Sequence, residues 1–112
     1  MINGNISILF TDEAAEFLRT IPQQARDKFT YNIGRIKGGE RNNEIFKKLE
    51  NTEIWEFRTL YNKIAYRLFA FWDTESESLI VATHGIIKKT QKTPNKEIRR
   101  AESIRNEYFN NK

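Results

Sequence analysis

A chain of 112 residues has room for one domain around one core, and 38% hydrophobic residues with eight Phe, four Tyr and two Trp exclude a disordered chain despite 30% charge. With no cysteine, disulfides, thiolate metal sites and cysteine nucleophiles are excluded together, and a single histidine excludes a polyhistidine metal centre. The net charge of +4 is unevenly held: residues 1–83 carry eleven Lys/Arg against twelve Asp/Glu, whereas residues 84–112 carry eight against three. A basic last quarter fits a polyanionic partner, and a lysine-rich solvated helix gives the same count. Asn3, Gly4 and Asn5 interrupt any apolar region before it starts, and no apolar run approaches membrane-spanning length. The expectation is a cytoplasmic protein without a membrane partner.

In chain order, Ile6 to Phe10 is a short β-prone run. Thr11 reads as an N-cap, with Asp12 and Glu13 in a first turn where the helix dipole favours anions. Ala14, Phe17, Leu18 and Ile21 recur at helical spacing, and Pro22 separates this helix from a second. Ala25, Phe29, Ile33 and Ile36 make the second stripe, which Gly38-Gly39 ends. The two helices read as a hairpin, and a solvated face accounts for Arg19, Arg26, Lys28, Arg35 and Lys37. Residues 40–52 are a polar connection anchored by Phe46 and Leu49.

The period then changes from helical to two. Ile54 to Leu60, Ile64 to Trp72 and Ser78 to Ala82 are strands, closed by Thr83, His84 and Gly85. Leu60-Tyr61-Asn62-Lys63 and Asp73-Thr74-Glu75-Ser76 are connections short enough to require antiparallel neighbours. Ile86 to Pro94 reads as a lysine-rich loop. Thr93 then caps a closing helix with Pro94 at its first position, Glu97 in its first turn, and Ile98, Ala101, Ile104 and Tyr108 on its buried face.

Strand alternation sorts the side chains by face. Trp55 and Phe57 share one face, while Ile54, Glu56, Arg58 and Leu60 share the other. Arg67 goes with Ala65, Phe69 and Phe71, and His84 goes with Ile80 and Ala82. A guanidinium within so aromatic a strand must reach water or an anion. Either arginine alone would be read as bracing the sheet through a carboxylate such as Glu56 or Glu53. The pair, just before a His-Gly and a lysine-rich segment, resembles a phosphate clamp. His84 at a strand end is structural or, with a reference pKa near ~6.5, suited to proton transfer. Lys88, Lys89 and Lys92 precede a helix N-terminus, a place that attracts phosphate, or lie in a solvated connector.

The stretches Ile54-Trp55-Glu56-Phe57-Arg58, Ile64-Ala65-Tyr66-Arg67-Leu68-Phe69, and Thr83-His84-Gly85 followed by Lys88-Lys89-Thr90-Gln91-Lys92-Thr93-Pro94 resemble the RelE/ParE toxin superfamily, and within it the phage-derived HigB-like branch. The resemblance spans nearly the whole chain. It implies an α+β, RelE-like fold of one domain, with an N-terminal strand and helical hairpin on a small antiparallel sheet and a C-terminal helix. It also implies a type II toxin neutralised by a cognate antitoxin, and cleavage of mRNA on the ribosome. In that chemistry the ribose 2′-hydroxyl attacks the adjacent phosphate, with no metal or organic cofactor.

Carried over by position, Arg58 and Arg67 contact the scissile phosphate, and Lys88 and Lys89 stabilise charge on the developing phosphorane and the leaving 5′-oxygen. Gln91, Lys92 and Lys96 contact the RNA, and His84 is the local candidate for proton transfer. Glu56 stands where RelE-like toxins tend to carry a lysine, and is read as orienting Arg58, with a role as base the alternative. Trp55 and Tyr66 are read as core, although either could stack on a base. Two other readings stay open: a ParE-like gyrase inhibitor of the same fold, and a non-catalytic module that binds nucleic acid or an antitoxin.

Overall fold

The computed structural model describes residues 6–76, 78–89 and 92–112. The chain runs β1 (Ser7–Phe10), α1 (Asp12–Thr20), α2 (Gln23–Lys37), β2 (Phe46–Lys48), β3 (Trp55–Tyr61), β4 (Ile64–Trp72), β5 (Leu79–Lys88) and α3 (Asn95–Asn110). One sheet has the order β1-β5-β4-β3-β2. β3, β4 and β5 are antiparallel neighbours as expected, β2 pairs antiparallel with β3 at one edge, and β1 adds to the other edge parallel to β5. The mixed sheet follows from connectivity: two helices intervene between β1 and the rest, long enough for a crossover.

The helices take opposite faces of the sheet. Phe29, Ile33 and Ile36 of α2 and Ala14 of α1 bury against Phe57, Tyr66, Leu68 and Ile80. On the other face Ala101 of α3 meets Ile54, Phe69, Phe71 and Val81, with Tyr108 and Phe109 packed at the rim. Tyr66 is core, at 2% exposure, and Trp55 is half-buried and stacked on Phe46 at 4.7 Å. Thr11 caps α1 by accepting from the Ala14 N–H, and its hydroxyl donates to the Thr83 carbonyl at 2.7 Å, tying the start of α1 to β5. Arg26 is more than a solvated residue: its guanidinium donates to the carbonyls of Leu18 and Ile21 at the open end of α1.

Three boundaries differ from the sequence reading. The segment 40–52 contains β2, whose Phe46 stacks on Phe57 at 4.3 Å and whose Lys47 lies opposite Glu56. The segment read as a loop from Ile86 begins as strand, because Ile86, Ile87 and Lys88 continue the ladder opposite Arg67, Tyr66 and Ala65. Pro94, not Thr93, is the N-cap of α3, and its carbonyl accepts from the N–H of Glu97. Thr90 and Gln91 lie outside the described residues.

The β3–β4 turn is set by Asn62 (φ 53°) and Lys63 (φ 65°), both left-handed, which matches a two-residue turn between the partners Tyr61 and Ile64. Asn tolerates this conformation and lysine does not. Lys63→Gly is therefore expected to stabilise the fold by about 0.5–1 kcal/mol, read as a higher midpoint in urea at unchanged slope. Gly85 serves packing. A Cβ there would lie 2.2 Å from the Phe17 ring of α1, so Gly85→Ala is expected to cost about 1–3 kcal/mol in the same measurement.

Candidate functional site

On the sheet face that α3 packs against, the part of β3, β4 and β5 beyond the helix carries the charged residues of the strand motifs. Arg58 and Arg67 are direct cross-strand partners, two cations opposed where like charges destabilise a sheet. The compensating anion is Glu56, 2% exposed, one pair along on β3. Its Oε1 lies 3.3 Å from Arg67 Nε and 3.6 Å from Arg58 Nε. Both Nε atoms are buried and neither is aligned for a hydrogen bond, so the carboxylate holds them by charge. Its other oxygen, Oε2, accepts from the Thr93 hydroxyl at 3.1 Å. Glu56 thus orients the arginine pair and also anchors the segment leading into α3.

The two arginines differ in access. Arg67 is nearly enclosed, its side chain 10% exposed, with Nη1 donating to the Tyr66 carbonyl at 3.0 Å. Burial pushes its guanidinium below the usual value, Glu56 offsets part of this, and Arg58 adds to it; a guanidinium stays protonated nonetheless. The Arg58 side chain is 28% exposed and forms a wall of two adjoining clefts. One, of about 320 Å³, is lined by Lys47, Lys88 and Lys92 with Glu56 and Thr93. The other, of about 300 Å³, is lined by Leu60, Ala65 and Arg67. At the end of β5 the Lys88 ammonium is lowered by burial first, then by the charge of Arg67, with Arg58 and Lys47 adding to the effect against Glu56. Such a crowd of cations favours a bound anion.

Arg58, Arg67, Lys88 and Lys92 are therefore brought together. Lys89 and Lys96 are exposed and line neither cleft, and Gln91 falls outside the described residues. His84 is a correction. Phe69 lies opposite His84 while Ala70 lies opposite Ala82, so Thr83 is the extra residue of a bulge. The bulge reverses the alternation and turns His84 away from the Ile80–Ala82 face, onto the Phe69 ring at 4.9 Å. There it is 1% exposed, with Nε2 at 3.0 Å from Glu97 Oε1 and Nδ1 at 3.0 Å from the Thr83 hydroxyl. A neutral ring donating from Nε2 and accepting at Nδ1 satisfies both contacts. Both nitrogens are engaged inside the protein, so this residue fastens the first turn of α3 to the sheet and does not present a proton to the clefts.

The sequence reading also missed Lys47 and the partnership of Thr93 with Glu56. The first sits in a strand of only three residues, too short for a period to register, and the second needs the tertiary fold.

A mixed five-stranded sheet with an N-terminal helical pair on one face, a C-terminal helix on the other and a cationic patch on its strands is a RelE-like fold. Residues 16–106 match the family described as phage-derived protein Gp49-like, and the chain belongs to that family. The fold is similar to the archaeal RelE–RelB complex from Pyrococcus horikoshii OT3, with a TM-score of 0.55 and 15% identity over 80% of this chain and 99% of that one. A toxin–antitoxin complex from Mycobacterium tuberculosis, RelBE2, matches at a TM-score of 0.48 and 18% identity over 75% of this chain and 99% of that one. No curated protein matches the sequence. Among the described residues no helix is long and apolar enough to cross a membrane.

Proposed function

We propose that this protein is the toxin of a type II toxin–antitoxin pair and a ribosome-dependent mRNA endonuclease. The observation that carries the reading is the opposed Arg58–Arg67 pair, gathered by one buried carboxylate beside clefts lined by Lys47, Lys88 and Lys92. A phosphodiester entering at Arg58 meets preorganised positive charge with no side chain needing to cross the sheet. The ribose 2′-hydroxyl attacks the adjacent phosphorus, the P–O5′ bond breaks, and the products are a 2′,3′-cyclic phosphate and a 5′-hydroxyl. Arg58 contacts the scissile phosphate, Arg67 reinforces it from behind, and Lys88 neutralises charge on the phosphorane and the leaving oxygen. Lys89, Lys92, Lys96 and Gln91 hold the flanking backbone, where contacts confer affinity and salt dependence. Glu56 acts as the positioning residue for both arginines. The RelB-bound state of the archaeal relative supports a cognate antitoxin as the cellular partner.

The test is induced expression of wild type, Arg67→Ala and Lys88→Ala in a bacterial host, with growth followed and RNA ends bearing 5′-hydroxyls mapped. Growth arrest with new cuts in translated messages is expected for the wild type, with cutting reduced at least about 100-fold in each variant. Lys88→Ala is the stricter variant because Lys88 lies at a strand end, and a native melting curve shows its loss to be chemical. Arrest with DNA damage and no cuts would replace the nuclease with a gyrase inhibitor. No arrest from the wild type would leave a binding module.

A further inference from the structure

The two edges of the sheet are built differently. At one, β2 carries Lys47 and Lys48 among its three residues, and charge of this kind blunts an edge against pairing. At the other, β1 is Ser7-Ile8-Leu9-Phe10, without charge, and Leu9 and Phe10 are 48% and 37% exposed. The backbone on its outer side is open as well. The N–H groups of Ser7 and Thr11 donate inward, to the carbonyls of Ser78 and Ala82. By alternation the N–H and C=O of Ile8 and Phe10 point outward, where no strand pairs with β1 among the described residues. α1 lies over β5 more than over β1, which keeps that outer side clear. An uncharged strand with open donors and acceptors and exposed apolar side chains is a template for another strand.

We propose that β1 pairs antiparallel with β1 of a second copy of this chain, about a two-fold axis through Leu9. Ile8 of each copy then lies opposite Phe10 of the other. These are the residues whose backbone groups point outward, so both pairs exchange N–H···O bonds. Leu9 meets Leu9 at the non-hydrogen-bonded position between them, where side chains come closest. The axis is perpendicular to the sheet, so side chains meet on matching faces. Ile8 and Phe10 lie on the α1 side, level with Ile80 and Ala82, and Leu9 lies on the α3 side, level with Val81. There Leu9 walls a groove of about 350 Å³ with Val81, Ile104 and Tyr108, and Leu9 of the second copy reaches its mouth. No like charges are opposed: the first charge after the strand is Asp12, and the two Asp12 residues stand ~20 Å apart along the ladder. The strand itself selects this occupant, because one register satisfies the outward groups of both chains at once. The pairing does not depend on the nuclease reading. It joins the two sheets at β1 and leaves each arginine pair, on β3 and β4, away from the new contact.

The experiment combines sedimentation equilibrium with cysteine crosslinking of the purified full chain. A contact this small belongs to the weak class, so the wild type is expected to dimerise with a dissociation constant on the order of 10–100 μM. Leu9→Lys sets two ammoniums against each other across the axis and is expected to weaken the dimer at least about tenfold. A native melting curve for this variant shows that the monomer still folds. The chain has no cysteine, so a single one reports the register. Two cysteines at position 9 would have Cα atoms ~4.5 Å apart, within disulfide reach, and Leu9→Cys is expected to crosslink under mild oxidation. Two at position 7 would lie ~14 Å apart, beyond reach, so Ser7→Cys is expected to stay monomeric on a denaturing gel. A wild type that remains monomeric up to about 1 mM overturns the proposal and leaves the edge to a strand of another protein. Equal crosslinking at positions 7 and 9, or a dimer unaffected by Leu9→Lys, overturns it too, by assigning the association to chance collision or to another surface.

Discussion

Replacing Glu56 with alanine is expected to destabilise the protein by about 3–5 kcal/mol, more than any other single polar change at the site. The carboxylate is the shared counter-charge of two guanidiniums opposed across β3 and β4, and the side chain of one of them is only 10% exposed. Without it Arg67 is left charged and enclosed, with Arg58 as its neighbour, and the Thr93 hydroxyl loses its acceptor. Denaturant melts measure the loss. A sulfate titration identifies its origin: an anion able to sit between the arginines should restore more stability to Glu56→Ala than it adds to the wild type. Equal sulfate effects on the two proteins would mean that Glu56 contributes by packing alone.

Acidification is expected to weaken the fold through His84. Burial lowers this imidazole from its usual value and outweighs the opposing contact with Glu97. In the unfolded chain the group titrates near ~6.5, so below that pH the unfolded state binds the extra proton first. Stability associated with His84 is full above about pH 6.5 and falls as the pH drops toward the lower folded value. Urea melts between about pH 7 and about pH 5 should show a decline in the wild type that is smaller in His84→Gln. Parallel declines in the two proteins would assign the effect to other groups. The variant should also lose about 1–3 kcal/mol at neutral pH, since Glu97 and Thr83 lose a buried partner.

The parts of the site that were legible in the sequence are those governed by a local period. Glu56 and Arg58 were assigned to one face of their strand, and Arg67 to the face of Phe69 and Phe71 on the next, because β3 and β4 are regular where these residues lie; which faces coincide came from the pairing register. The same rule failed for His84, since one extra residue at Thr83 inverts every position after it, and a bulge leaves no composition cue. Lys88 was placed near the phosphate but in a loop, because a basic pair reads as solvent-exposed when the central strand it pairs with is not yet known. Lys47 was overlooked because β2 spans only three residues, too few for a period to register. Thr93 has the residue type of an N-cap, yet its hydroxyl goes to a carboxylate 37 positions earlier, a choice made by tertiary structure. The helical pair needed no such context, as its apolar stripes and its proline and glycine boundaries are all local.

The parallel edge strand has a kinetic consequence. β3, β4 and β5 follow one another through short turns, so their pairing closes only small loops. β1 must instead find β5 across a separation of 72 residues, as between Thr11 and Thr83, after two helices have formed in the interval. Long-range parallel pairing is slow, and strands added last over long loops are those released first in partial opening. The arginine pair and its carboxylate belong wholly to the early hairpin. Opening of the sheet edge at β1 would therefore leave the arginine pair and its carboxylate in place.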